Sequence, residues 1–452
     1  MQRVVAVLGA LLALAATAMP APVRAQEVDP LDLAITLLQT LGTVVPDEVP
    51  DPISLVDPLN PACDQLDPSH CLFPFPSDNY TVADDTTATG RRVDLPLLAM
   101  PRNVALLPAD PTEWNRNDGF SPGSTLLTFL PGVDLAVTFG IAERPEDYRQ
   151  QMTDPALSLA PDAPIVVVDA DTGERHPYLA ELDTHPSTAA GDRTLIVRPM
   201  ENFIDGHRYV IGFRDIRTAS GDLVGPSPAF TQLRDGAAGG ARQAHYDDAV
   251  FPVLADAGVA RDEVILAWDL TIASTQNLTG RLVSMRDETF AALGDTDLDD
   301  GVVAGDAPTF TVSAVTDSSD PDDPTIRTVE GTIQVPNYLT LPDEASIDVP
   351  ELGTVPVPGA RLNYADPLTA GPDDVPVVNP LDPVRDVPFI CVLPRTVADT
   401  ETPAVPVLYG HGLLGSRSEA SGWSTTRLRE SGYAPCSVAW TGMATGDLPN
   451  VA

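Results

Sequence analysis

Lysine is absent from this chain: all 26 basic residues are arginine, and they face 65 acidic ones for a net charge of −39. So acidic a surface repels phosphate backbones and anionic headgroups, which excludes a nucleic-acid partner and an electrostatically held membrane site. Apolar patches recur between the acids, so the charge is read as solvated faces on folded domains and not as disorder. Cysteine is scarce, at four residues, and no Cys-x-x-Cys or close Cys/His spacing occurs, which speaks against zinc. Phosphate loops and dinucleotide fingerprints are missing too. After the first 25 residues no apolar run reaches the roughly 20 residues of a spanning helix, so no stable membrane span is expected.

The N-terminus has the parts of a Sec signal peptide. Arg3 supplies the positive start, Val4 to Met19 is apolar apart from Gly9 and Thr17, and Val23-Arg24-Ala25 is a small-x-small cleavage site. Residues 1–25 are therefore predicted to be removed and the protein secreted. No cysteine follows the cut, so lipid attachment there is not expected. Four cysteines in an exported chain imply two disulfides with three available pairings. Cys63 and Cys71 are neighbours in sequence, and Cys391 and Cys436 sit in apolar, strand-like runs. Cys63–Cys71 and Cys391–Cys436 are the expected bridges.

Proline is abundant, at 46 residues, and clusters in turns, which favours short strands over long helices. Residues 26–60 read as a Pro/Asp-rich linker carrying a short amphipathic helix from Leu31 to Leu41. Residues 61–160 read as an N-terminal β domain. Residues 161–235 hold strand signals at Pro164–Asp169, Arg193–Pro199 and Gly206–Phe213, separated by turns, as in a sandwich. Residues 236–307 read as a connector, with helices at Ala244–Gly258 and Asn277–Leu293 around a strand at Val264–Ala273. Residues 308–452 return to strands, at 310–315, 328–336, 388–394, 405–409 and 433–440, with a helix over Ser416–Glu430. The fold class expected is multi-domain α+β.

The sharpest motif is Val405-Pro-Val-Leu-Tyr-Gly-His-Gly-Leu-Leu-Gly415, an apolar strand running into a His-Gly turn and a helix. Acyl transfer builds negative charge on a carbonyl oxygen, which preorganised backbone N–H groups stabilise. Glycine lets such amides come close, having no side chain and tolerating positive φ. The motif resembles the oxyanion loop after the third strand of α/β-hydrolases. That resemblance makes residues 308–452 the first half of a hydrolase sheet and His411, Gly412 and Leu413 its oxyanion loop. The Leu413 amide is then the donor and His411 a structural residue, not the catalytic base. Phe75–Asp78 and Asn115–Ser121 resemble the domain ahead of some bacterial extracellular lipases, and residues 161–235 resemble bacterial Ig-like modules.

The same resemblance exposes what is missing. A serine elbow, an acid and a histidine should follow in that order, yet Ala452 comes shortly after the fourth strand and no histidine follows His411. The chain as given is therefore expected to be inactive on esters. The one Gly-x-Ser-x-Gly string, Gly119 to Gly123, lacks the preceding buried strand and following helix of an elbow, so Ser121 reads as a turn residue. Asp295, Asp297 and Asp299 take positions one, three and five of a calcium loop. Position six is Asp300 instead of glycine and position twelve is Asp306 instead of glutamate, so a solvated linker is the stronger reading and no cofactor is expected. His70, His176, His185, His207 and His245 are scattered and read as surface or turn residues. The leading expectation is a secreted lipase- or esterase-like serine hydrolase of an ester or lipid-like small molecule. The rival is a non-catalytic secreted binding or spacer protein with a vestigial hydrolase half.

Overall fold

A run such as Ile165-Val166-Val167-Val168 has no polar side to turn to water, so as a strand it must be covered on both faces. In the computed structural model this run is a strand with every residue buried. The structure describes residues 62–67, 70–102, 108–141, 151–184, 192–340, 346–349, 353–356, 360–398 and 403–447. The signal peptide, the linker with its Leu31–Leu41 helix, and His185 lie outside them.

Up to residue 272 the strands are β1 (Thr81–Ala83), β2 (Arg91–Val93), β3 (Leu126–Thr128), β4 (Gln151–Met152), β5 (Ile165–Asp169), β6 (Tyr178–Leu182), β7 (Leu195–Pro199), β8 (Arg208–Phe213) and β9 (Leu266–Thr271). Apart from the β1–β2 hairpin they form two antiparallel sheets, ordered β3-β7-β6-β4 and β5-β8-β9. Tyr178 on β6 donates its hydroxyl to Ile165 O on β5 at 2.6 Å, tying one sheet to the other. The helix Phe251–Asp256 packs on β8 at Gly212, where an added Cβ would come within 2.8 Å of the Leu254 side chain. A single hydrophobic cluster runs from Leu66 to Ile272.

That cluster crosses the boundaries expected at 160 and 235. Each sheet takes strands from outside 161–235: β3 and β4 from before it and β9 from after it. Two strands per layer cannot bury both faces of a sandwich, so neighbours in sequence are recruited. The stretch read as a connector is instead core. Trp268 on β9 is 1 % exposed, and its indole donates to Pro76 O at 2.9 Å.

The helix Thr275–Ala292 leads into the second half, with Ser274 Oγ capping it by accepting from Asn277 N at 3.2 Å. There follow β10 (Phe310–Asp317), β11 (Thr325–Pro336), a hairpin of β12 (Ser346–Val349) and β13 (Gly353–Pro356), then β14 (Val384–Pro394), β15 (Val405–Leu408) and β16 (Tyr433–Val438). The sheet order is β10-β11-β14-β16-β15. All its pairs are antiparallel except β15–β16, which is parallel and so needs the crossover that the short helix Thr426–Glu430 helps supply. Cys391 on β14 stands directly opposite Cys436 on β16 and is bridged to it, with Cα atoms 4.1 Å apart. Cys63 and Cys71 are bridged as well. Overall the protein combines helices with several sheets, α+β in the general sense.

The α/β unit expected after 309 does not stand apart, since the described residues all belong to one compact unit. Arg116 reaches across to donate to Pro367 O at 2.7 Å and Ala370 O at 2.6 Å, and Arg361 is ion-paired with Asp110. Among the described residues no helix is long and apolar enough to cross a membrane.

Candidate functional site

Because β15 and β16 are parallel, the loops that follow them leave the same end of the sheet. That is where ligand sites of α/β sheets lie, outside the carboxyl ends of the strands. Here Gly410–Gly415 meets Trp440–Thr445. His411 is 7 % exposed and ties the two loops: its Nε2 accepts from Trp440 N at 2.9 Å, and its Nδ1 donates to Gly412 O at 2.7 Å. Those partners place the ring proton on Nδ1. Both nitrogens are used, leaving none to take a proton from a substrate. Gly410 is needed for close approach, since a Cβ there would fall 2.7 Å from the Trp440 ring.

The rest of the turn is equally tied. Leu414 sits at φ 57° with its amide donating to Met443 O at 2.7 Å, and Thr445 donates from its amide to Gly415 O and from Oγ1 to Leu414 O. Glu419, which the sequence did not single out, accepts from Gly412 N at 3.2 Å. The Leu413 amide has no acceptor among the described residues, and Leu413 is 75 % exposed. Of the three residues singled out, one braces the turn, one has its amide taken by a carboxylate, and one carries an open amide.

Ser121 is placed as a turn residue. Phe120 N donates to Thr271 O and Ala273 N to Phe120 O, a short parallel bridge to the end of β9. Ser124 N then closes the turn on Ser121 O at 3.1 Å. Gly119 is required because a Cβ there would lie 2.5 Å from Ala273 N. Ser121 lines a cavity of about 380 Å³ whose described lining holds no histidine or carboxylate.

Of the three aspartates singled out in the acidic run read as a solvated linker, one is buried and two are exposed. Asp295 is buried and accepts from Ala304 N at 3.1 Å, bracing the loop after the long helix, whereas Asp297 and Asp299 are exposed. Among the described residues the group able to hold a metal is a different one, Asp169, Asp171 and His207, with donor atoms within 4.8 Å of one another. These groups already serve the turn between β5 and β6. Asp169 Oδ2 meets His207 Nδ1 at 2.8 Å, its Oδ1 accepts from Asp171 N at 2.9 Å, and Asp171 Oδ2 accepts from Arg208 N at 2.9 Å.

A second histidine–carboxylate pair lies on the same sheet. Asp269 on β9 is buried and carries His245 Nε2 at 2.8 Å and Arg208 at 3.0 Å. Burial would raise the Asp269 carboxyl, but the His245 hydrogen bond and the two positive neighbours hold it below its ordinary value. Nearby Asp78 is pushed the other way, by burial and by the charge of Asp269. Sequence spacing could not show these pairs, because their members are 24 to 38 residues apart and meet only in the fold, His245 from the end of a helix and His207 from the turn before β8. Compared with known proteins, the chain matches no family model, no curated protein and no solved structure.

Proposed function

We propose that this chain belongs to a secreted carboxylic-ester hydrolase of the α/β-hydrolase type and carries its oxyanion loop; the serine, acid and base of acyl transfer to an ester or lipid-like small molecule are not identified in residues 1–452. In this reading residues 61–160 are a lipase-type N-terminal domain, 161–235 an Ig-like module, and 308–452 the start of the catalytic sheet. The observation that carries it is the Gly410–Gly415 turn: it leaves a strand of a parallel pair, is braced by His411, and holds an open amide at Leu413. A preorganised amide of this kind stabilises an oxyanion without reorganising during the reaction. Export is part of the proposal, and the two disulfides fit it.

The test is turnover of p-nitrophenyl butyrate and octanoate by the natural exported protein, beside Leu413→Pro, which removes the N–H; residues 26–452 by themselves are expected to be inactive. The reading expects hydrolysis that falls about 10²–10³-fold in the variant, the usual cost of one oxyanion donor. Hydrolysis untouched by Leu413→Pro would overturn the assignment of the donor. The second reading, a non-catalytic binding protein, is favoured by a separate observation: the rings of His176, His207, His245 and His411 engage Glu201 O, Asp169, Asp269 and the 412/440 backbone, and none holds a serine. An exported protein that turns over neither ester supports that reading.

A further inference from the structure

The cavity that Ser121 lines lies between the β1–β3 region and the long helix, and its walls are of two kinds. Phe75 and Phe120, edge to face with ring centroids 5.8 Å apart, and the half-exposed Trp114 make an apolar side. Asn117, Asn277 and Arg281 make a polar one. The helix Thr275–Ala292 positions the latter: Asn277 and Arg281 are one turn apart and so share a face. Asn277 stands in its first turn, where the helix dipole is positive, and Arg281 in the second.

Arg281 is the informative residue. It donates from NH1 to Asn117 Oδ1 at 2.9 Å and from NH2 to Arg116 O at 3.1 Å. Its Nε is buried with no acceptor, and no carboxylate pairs with the side chain among the described residues. In a chain with 65 acids for 26 bases, a cation lining a cavity without a counter-charge is conspicuous. NH1 and NH2 each carry a second N–H beyond these bonds, and an anion in the cavity would pair with the guanidinium charge.

We propose that this cavity binds a small amphipathic carboxylate, a medium-chain or aryl acid, with its anionic head at Arg281 and its apolar body against Phe75, Phe120 and Trp114. One guanidinium matches one monoanion. The volume of about 380 Å³ is at the low end of small-molecule sites, roughly 300–1,000 Å³, which suits such an acid better than a phospholipid. The exposed Trp114 and Leu278 form the rim. This site is independent of the hydrolase reading, since its test is direct binding and needs no turnover.

The experiment is titration calorimetry of the full chain with octanoate, with 1-octanol and octylammonium as probes of the same length. Saturable octanoate binding is expected, weakened about tenfold to a hundredfold in Arg281→Gln, as for loss of a charged hydrogen bond. Octanol should bind more weakly than octanoate, and octylammonium not at all. Leu278→Trp, which fills the mouth from the exposed face of the helix and keeps Arg281, should abolish octanoate binding. It decides the matter if Arg281→Gln does not fold. No saturable binding of octanoate, equal binding of octanol, or octanoate binding unchanged in a folded Leu278→Trp overturns the proposal.

Discussion

Arg242 and Asp64 are 178 residues apart in sequence, yet the guanidinium donates to both oxygens of the carboxylate at 2.8 Å. Asp64 has no exposed side-chain surface, so removing its partner strands a buried charge. Arg242→Ala is expected to cost about 3 kcal/mol, at the lower end for a broken buried pair, measured by urea unfolding. A loss below about 1 kcal/mol, the scale of surface pairs, would mean that water reaches Asp64. At Asp169 burial works upward on the pKa, but the His207 hydrogen bond and the Asp171 and Thr172 amides outweigh it and hold the carboxyl below its ordinary value. A depressed carboxylate stabilises the fold above its unfolded value near 3.9, and that stabilisation is lost as pH falls through the folded value. The stability gap between the wild type and Asp169→Asn should therefore be full at about pH 5 and narrow below about pH 4. A gap that stays constant to acid pH would show that the charge contributes nothing.

Strands and bridges were the most legible elements. The apolar runs at 164–169, 264–273 and 405–409 hold strands, because period is a local property, and both expected disulfides are present. Helices were less so. The expected helix Ser416–Glu430 is broken into 3-10 turns at Arg417–Ser421 and Trp423–Thr425 before Thr426–Glu430. Ser416 Oγ caps the first turn, and serine hydroxyls there compete with a regular helix for backbone groups. Ala244–Gly258 is helical but carries a π-turn at Tyr246–Val250, just ahead of Pro252, which cannot donate to a regular turn. At this scale two outcomes are expected. Replacing Cys391 and Cys436 together by alanine removes a 45-residue constraint, worth about 4 kcal/mol in the chain-entropy picture, and should lower the melting temperature on non-reducing samples. His411→Ala should cost about 1–2 kcal/mol, for two hydrogen bonds near 1 kcal/mol each, and speed hydrogen exchange at the Trp440 amide. Unchanged exchange there would mean that the two loops hold together without the ring.

Across the whole molecule the charge of −39 opposes compaction, since like charges repel and salt screens them. The melting temperature is therefore expected to rise between about 0.05 and 1 M sodium chloride; a flat profile would mean that local ion pairs, such as Arg214–Glu263 and Arg208–Asp269, already offset the repulsion. Composition, period and spacing were enough to determine the mixed fold class, most strands, the Cys63–Cys71 bridge and the His-Gly turn at the end of a strand. Each depends on residues close together in the chain, or on totals over it. Which strands share a sheet, that β9 from the supposed connector completes the core, that Glu419 takes the Gly412 amide, and that Arg281 faces a cavity without a counter-charge were decided only by the tertiary structure. Those facts depend on register and packing between segments far apart in sequence, and a one-residue change of register would turn every side chain on a strand to the other face.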